Sequence, residues 1–187
     1  MTSTGKPAST AGRTAPLPEP AGKPDLRGGS VGSTGAEERI VVAAPPAEVF
    51  AAVADIRRMA RWSPECFAVW VWRKHNGLPA RFIGWNRHGP RIWFSSCHVC
   101  VAEPGAEFVF DVFALGFPVA RWGYRFAPTE GGTEVTEYWS DKRTRGASIL
   151  GRIVMGKLAN IRPEANRDGM RQTLRRLKTE LESAARS

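Results

Sequence analysis

Residues 66–139, CFAVWVWRKHNGLPARFIGWNRHGPRIWFSSCHVCVAEPGAEFVFDVFALGFPVARWGYRFAPTEGGTEVTEYW, decide the fold. The stretch is rich in aromatics and broken at intervals by turn chemistry: Asn76-Gly77-Leu78-Pro79, His88-Gly89-Pro90, Glu103-Pro104-Gly105, Leu115-Gly116-Phe117-Pro118 and Pro128-Thr129-Glu130-Gly131-Gly132. Glycine frees φ and proline fixes it, and neither suits the middle of a central strand, so these clusters end the runs between them. The runs favour strands: Trp70, Val71, Trp72; Ile92, Trp93, Phe94; Phe108, Val109, Phe110; Trp122, Tyr124, Phe126. Connections this short join antiparallel neighbours, because a parallel crossover needs about a dozen residues or more. The stretch therefore predicts one curved antiparallel sheet in an α+β domain, with helices before and after it and a binding cavity on one face.

Alternation along each strand sorts side chains to two faces. Over 91–101 one set is Trp93, Ser95, Cys97 and Val99, the other Ile92, Phe94, Ser96, His98 and Cys100. Phe108, Phe110 and Val112, then Trp122, Tyr124 and Phe126, then Val135, Glu137 and Trp139 form the apolar sets expected to point inward. Asp111, Arg121, Arg125, Glu134 and Thr136 are expected in solvent. In the strand at 81–87 the arginines take odd positions, which turns Phe82, Gly84 and Asn86 inward and leaves Ile83 and Trp85 exposed.

Before this sheet, ERIVVA reads as a first strand at 38–43, and Pro45-Pro46 opens a helix with Val49, Phe50 and Val53 on one face. Asp55 is placed to cap a second short helix at 56–61, closed by Trp62-Ser63-Pro64. After the sheet, 148–158 is apolar around much of a helix, and Pro163 suits the first turn of a last helix. Met170, Leu174, Leu177 and Leu181 give that helix an apolar stripe, and Gly169 inside it calls for a packing reason such as close approach to the sheet. Residues 1–36 hold almost no large apolar side chain and are expected to be a disordered tail; 37–187 form one domain.

Lys+Arg 27 against Asp+Glu 18 gives a net charge of +9, which attracts anionic partners but says nothing of fold. No apolar run nears the roughly 18 residues of a membrane span. The N-terminus lacks the apolar core of a secretory signal, and three cysteines, Cys66, Cys97 and Cys100, are read as reduced thiols of a cytoplasmic protein.

Taken together, ERIVVAAPPAEVFAAVADIRRMARWSPE at 38–65, ARFIGWNRHG at 80–89, GGTEVTEYW at 131–139 and NRDGMRQTLRRLK at 166–178 resemble the START-like superfamily, SRPBCC, of polyketide cyclases and dehydrases, lipid-transfer proteins and Bet v 1-type allergens. The likeness covers about residues 37–184. It implies the helix-grip fold: a seven-stranded antiparallel sheet around a long C-terminal helix, two short helices after strand 1, and an apolar cavity between sheet and helix. Aromatase/cyclase members carry a cavity arginine in the central strand; aligned from Arg91-Ile92-Trp93, that position is Val99 here, so carbonyl polarisation would need another group.

Glu137 shares a face with Val135 and Trp139, and a carboxyl in an apolar cavity has its pKa raised by desolvation. It is the candidate acid, base or ligand anchor, and Tyr124 is a second catalytic candidate; the plainer role of Glu137 is as partner to an arginine or to Asn86, or as a solvated strand end. The candidate ligand contacts are Trp62, Phe82, Asn86, Trp93, Ser95, Cys97, Phe110, Trp122, Tyr124, Glu137 and Trp139, of which the tryptophans equally suit plain core. Cys97-His98-Val99-Cys100 has CxxC spacing, but strand residues three apart face opposite ways and no second ligand pair follows, so no metal site and no cofactor are expected. The basic side of the last helix (Arg162, Arg167, Arg171, Arg175, Arg176, Lys178) reads as a solvated face and nucleic acid as an unlikely partner. The segment 149–158, flanked by Arg145, Arg152 and Lys157, suggests a gate that touches membrane transiently. The leading expectation is non-covalent binding, as carrier or sensor, of a small hydrophobic or polycyclic ligand. The alternatives are a polyketide cyclase-like enzyme using Glu137 and Tyr124, and a module binding RNA, ribosome or anionic membrane through its basic surface.

Overall fold

The computed structural model describes residues 35–143 and 163–186. The chain begins with β1 (Gly35–Val42), α1 (Pro46–Ala54), a 3-10 turn (Ile56–Arg58) and the one-turn α2 (Met59–Trp62). There follow β2 (Cys66–His75), β3 (Leu78–His88), β4 (Arg91–Glu103), β5 (Glu107–Ala114), β6 (Phe117–Thr129) and β7 (Gly132–Asp141), then the long α3 (Pro163–Ala184). All seven strands form one antiparallel sheet in the order β1-β7-β6-β5-β4-β3-β2. The short connections thus make a meander from β2 to β7, and β1 closes beside β7. This is the helix-grip arrangement.

The turn residues act where the spacing put them. Asn76 and Gly77 take positive φ in the β2–β3 hairpin, and Leu115 and Gly116 do so in the β5–β6 hairpin. Gly132 is the most constrained glycine. Its φ is +123°, and a Cβ there would lie 2.2 Å from the Val42 carbonyl oxygen, so the start of β7 fits beneath the end of β1 only without a side chain.

The core lies between the inner face of the sheet and the apolar faces of α1 and α3. Val49, Phe50 and Val53 of α1 and Leu174, Leu177 and Leu181 of α3 pack with Phe82, Phe108, Phe110, Phe126 and Val135. Phe50 meets Phe108 and Phe126 edge-on, at 6.3 and 5.9 Å between ring centres. Met170 packs with Ala36, Ala120 and Trp139 in a smaller cluster.

Four local expectations are corrected. The first strand starts at Gly35, earlier than residue 38. The helix expected at 56–61 is a 3-10 turn followed by α2, and the Asp55 side chain caps nothing; its backbone N–H instead closes α1 on Ala51 O at 3.1 Å. Gly169 has no close approach to justify it, since an added Cβ would only touch Pro64 Cγ at 3.7 Å. Thr136 is buried although it lies on the outer face. The apolar run at 148–158 lies outside the described residues.

The C-terminal part of α3 is clamped by polar contacts that the solvated-face expectation missed. Lys178 Nζ donates to Val41 O at 2.6 Å, and Glu182 accepts from the Ala43 N–H at 2.9 Å. Arg171 pairs with Glu38 on β1 at 2.9 Å. These contacts hold the helix across the β1 edge.

Candidate functional site

Cross-strand register assembles the inner face row by row. Trp139 stands opposite Trp122, Trp122 opposite Phe110, and Phe110 opposite Val99. Glu137 stands opposite Tyr124, and Tyr124 opposite Phe108. Phe82 faces Cys97, Gly84 faces Ser95, and Asn86 faces Trp93. Every candidate ligand contact except Trp62 therefore shares one face.

That face is sealed unevenly. Phe108, Tyr124, Phe126 and Val135 are buried beneath α1, whereas Asn86, Trp93, Ser95, Val99, Val112 and Trp122 are only half-buried. A half-open aromatic wall thus runs from the β3–β4 hairpin towards a closed interior. Asn86 and Ser95 supply its polar groups; Asn86 Nδ2 donates to Ser95 Oγ at 3.2 Å and to Gly84 O at 3.2 Å. Gly84 leaves room between them, its missing Cβ falling 3.6 Å from Ser95 Oγ.

Glu137 and Tyr124 form a pair at the closed end. The Tyr124 hydroxyl donates to Glu137 Oε1 at 2.8 Å and lies 3.9 Å from Met59 Sδ. The partner of Glu137 is thus Tyr124, and neither an arginine nor Asn86. Glu137 Oε2 is buried and has no hydrogen-bond partner among the described residues. Burial pushes the Glu137 carboxyl up to about 8, against the smaller opposing pull of the tyrosine hydroxyl. Burial, and then the neighbouring carboxyl, raises the Tyr124 phenol well above its ordinary range. Near neutral pH both groups therefore hold their protons, and a carboxyl proton on Oε2 is a donor with no acceptor among the described residues. Such a pair can hydrogen-bond a ligand oxygen, or deliver a proton to it.

Burial makes the two inner-face cysteines poor nucleophiles. Burial raises Cys66 to about 11 and Cys97 to about 12, so both stay thiols. Cys97 is buried on the inner face while Cys100 is exposed beside Asp111 and Arg121, so the two sulfurs of the CxxC point apart as the strand periodicity required. Among the described residues no group of three His, Cys, Asp or Glu side chains is placed to hold a metal ion.

Trp62 stands apart from the wall. It is 2 % exposed, and its indole N–H donates to Glu180 Oε2 at 2.6 Å while Arg58 holds Oε1 at 2.6 Å. Burial alone would raise the Glu180 carboxyl, but hydrogen bonds from Arg58 and Trp62 outweigh it and hold the group below its ordinary value. Its polar handle is thus spent on fastening α2 to α3. An open groove of about 290 Å³ lies beside it, lined by Arg61, Arg175, Arg176 and Thr179.

The signal that pairs Tyr124 with Glu137 was present in the sequence. A hairpin closing between Thr129 and Gly132 sets a register in which 124 and 137 meet. Met59 carried no such signal, because it arrives from α2.

The family model for polyketide cyclase/dehydrase and lipid transport matches residues 33–182. Among curated proteins, none matches. Among solved structures, a Polyketide_cyc-like protein from Corynebacterium glutamicum is 32% identical, with 82% of this chain and 94% of that one covered and a TM-score of 0.55. A START superfamily protein from Mycobacterium smegmatis is similar in fold at 13% identity and a TM-score of 0.62, covering 82% of this chain and 99% of that one. The di-domain ARO/CYC protein of the steffimycin biosynthetic pathway matches at 14% identity and a TM-score of 0.66, over 83% of this chain and 52% of that one.

Proposed function

This chain belongs to the polyketide cyclase/dehydrase and lipid transport family, and from that premise we propose that it binds one small hydrophobic or polycyclic ligand, without a covalent bond, on the inner face of its sheet. The observation that supports this most is the buried Glu137, whose Oε2 lacks a partner among the described residues at the end of an aromatic wall and whose burial favours the protonated carboxyl. An unsatisfied buried donor costs about 1–3 kcal/mol, and a ligand carbonyl, hydroxyl or ether oxygen would recover it. Trp93 and Trp122 supply apolar area, and Asn86 with Ser95 orients the end nearer solvent. The division into an N-terminal tail and a ligand-binding domain belongs to the same proposal, with the boundary moved from 36/37 to Gly35, where β1 begins and Ala36 already packs in the core. So does a cytoplasmic, reducing location, which suits three free cysteines.

The test is quenching of tryptophan fluorescence by a panel of fused-ring quinones and phenols. One equivalent should bind wild type, and Glu137→Leu should weaken binding about tenfold, the worth of one lost hydrogen bond. Saturable binding that ignores both Glu137→Leu and Trp93→Ala would place the ligand elsewhere.

A second reading has one observation in its favour. A carboxyl titrating near 8 is tuned for general acid work at neutral pH. As a cyclase-like enzyme, the protein would use Glu137 to protonate a substrate oxygen, with Tyr124 holding the carboxyl in place. Glu137→Gln should then abolish turnover and spare binding; equal loss of both would leave Glu137 an anchor only.

A further inference from the structure

The outer face of β2, β3 and β4 carries a surface that the inner site does not use. Phe67, Trp70, Trp72, Trp85, Ile92 and Phe94 are between 40% and 61% exposed there. The register makes them one patch: Trp85 stands opposite both Ala68 and Phe94, Trp70 opposite Ile83, and Ile92 opposite Arg87. At the same end of the sheet, the β5–β6 hairpin exposes Leu115 at 68% and Phe117 at 48%. Exposed apolar surface of this extent marks an interaction site.

Charge narrows the partner. Residues 66–102 contain Arg73, Lys74, Arg81, Arg87 and Arg91 and no aspartate or glutamate. The carboxylates at the margins are engaged: Glu65 lies 3.7 Å from His88, and Asp111 is held by Arg121 at 2.7 Å. A two-fold contact with a second copy through this face would press its cations against themselves. Stacked bases need free ring faces, but the Arg81 guanidinium already lies 5.6 Å over Trp72 and that of Arg87 5.9 Å over Phe67. Trp85 packs on Phe94 at 5.6 Å, and Ile92 and Leu115 have no ring to offer. A lipid interface asks for something different: amphipathic rings and aliphatic side chains at headgroup level, with cations beside them to meet phosphates.

We infer that this outer face docks onto an anionic lipid surface, with Trp70, Trp85, Ile92 and Phe94 entering the headgroup region and Arg73, Arg81 and Arg87 meeting lipid phosphates. The inference stands without the ligand reading and places membrane contact on the sheet.

The experiment is co-sedimentation of the full chain with sucrose-loaded vesicles of phosphatidylcholine alone and of phosphatidylcholine mixed with phosphatidylglycerol. The protein should sediment with the mixed vesicles only, and less as salt rises. Each arginine near an anionic surface is worth about fivefold in affinity, so Arg73→Glu with Arg87→Glu, both exposed on the outer face, should weaken binding about twentyfold or more. Trp70→Ser with Phe94→Ser should weaken it at least as clearly. Arg175→Glu, on the far side of α3, should leave it unchanged. Circular dichroism and melting temperature should not move in either pair, because these side chains are exposed. Absence of sedimentation with mixed vesicles would overturn the inference, as would unaltered sedimentation of both folded pairs. So would tight binding of oligouridylate, or a dimer, that the Trp70→Ser pair abolishes.

Discussion

Replacing Glu137 by glutamine should flatten the dependence of stability on pH. The folded carboxyl titrates at about 8 and the unfolded one near its ordinary value of 4.5. Below 4.5 both states hold the proton and nothing is lost. Between the two values the unfolded chain releases its proton while the folded one keeps it, so stability falls by about 1.4 kcal/mol for each pH unit. From pH 5.5 to 8 the wild type should lose about 3 kcal/mol through this one group. The amide of Glu137→Gln keeps the acceptor for the Tyr124 hydroxyl and cannot ionise, so the variant should gain on the wild type by that amount over the window. Urea denaturation of both proteins at several pH values across the window measures the difference directly. Acids held low by arginines, such as Glu180, release their contribution at lower pH and are common to both proteins. Tyr124→Phe removes the hydrogen bond that opposes burial and should extend the sloping window upward. Parallel stability curves for wild type and Glu137→Gln would refute a neutral Glu137.

Three further substitutions probe the frame. Gly132→Ala should cost at least about 3 kcal/mol by thermal or urea unfolding, because its Cβ would sit 2.2 Å from Val42 O at a φ of +123°. Gly169→Ala should stabilise by about 0.5–1 kcal/mol, since α3 gains propensity and the added methyl only reaches Pro64; destabilisation would reveal a tighter contact. Glu180→Ala should cost about 2–3 kcal/mol by leaving the buried Trp62 N–H unpaired, and Glu180→Gln should recover part of it.

The sheet was legible because its turns are written in glycine and proline and its inward positions in aromatics, and both signals are local. Parity alone turned Phe82 and Asn86 inward and Trp85 outward, as the register has them. The irregularities in β2, between Cys66 and Ala68 and on either side of Arg73, were not legible, because a bulge depends on the partner strand as much as on its own residues. For that reason the outward tryptophans Trp70 and Trp72 were read as strand-formers and not as a surface. The bond from Trp62 to Glu180 spans 118 positions and has no periodic signature; it exists only once α2 and α3 meet. Tyr124 and Glu137 were singled out separately, while their pairing needed the hairpin register.

The inner face should hold a hydrophobic ligand anchored by the proton of Glu137. Native mass spectrometry of the freshly purified chain, beside Glu137→Leu, with organic extraction of whatever accompanies each, tests it most directly. The account predicts a single adduct on the wild type, an apolar molecule bearing at least one oxygen, and a markedly smaller fraction on the variant. A wild type free of adduct that also takes up no member of the fused-ring panel would contradict it.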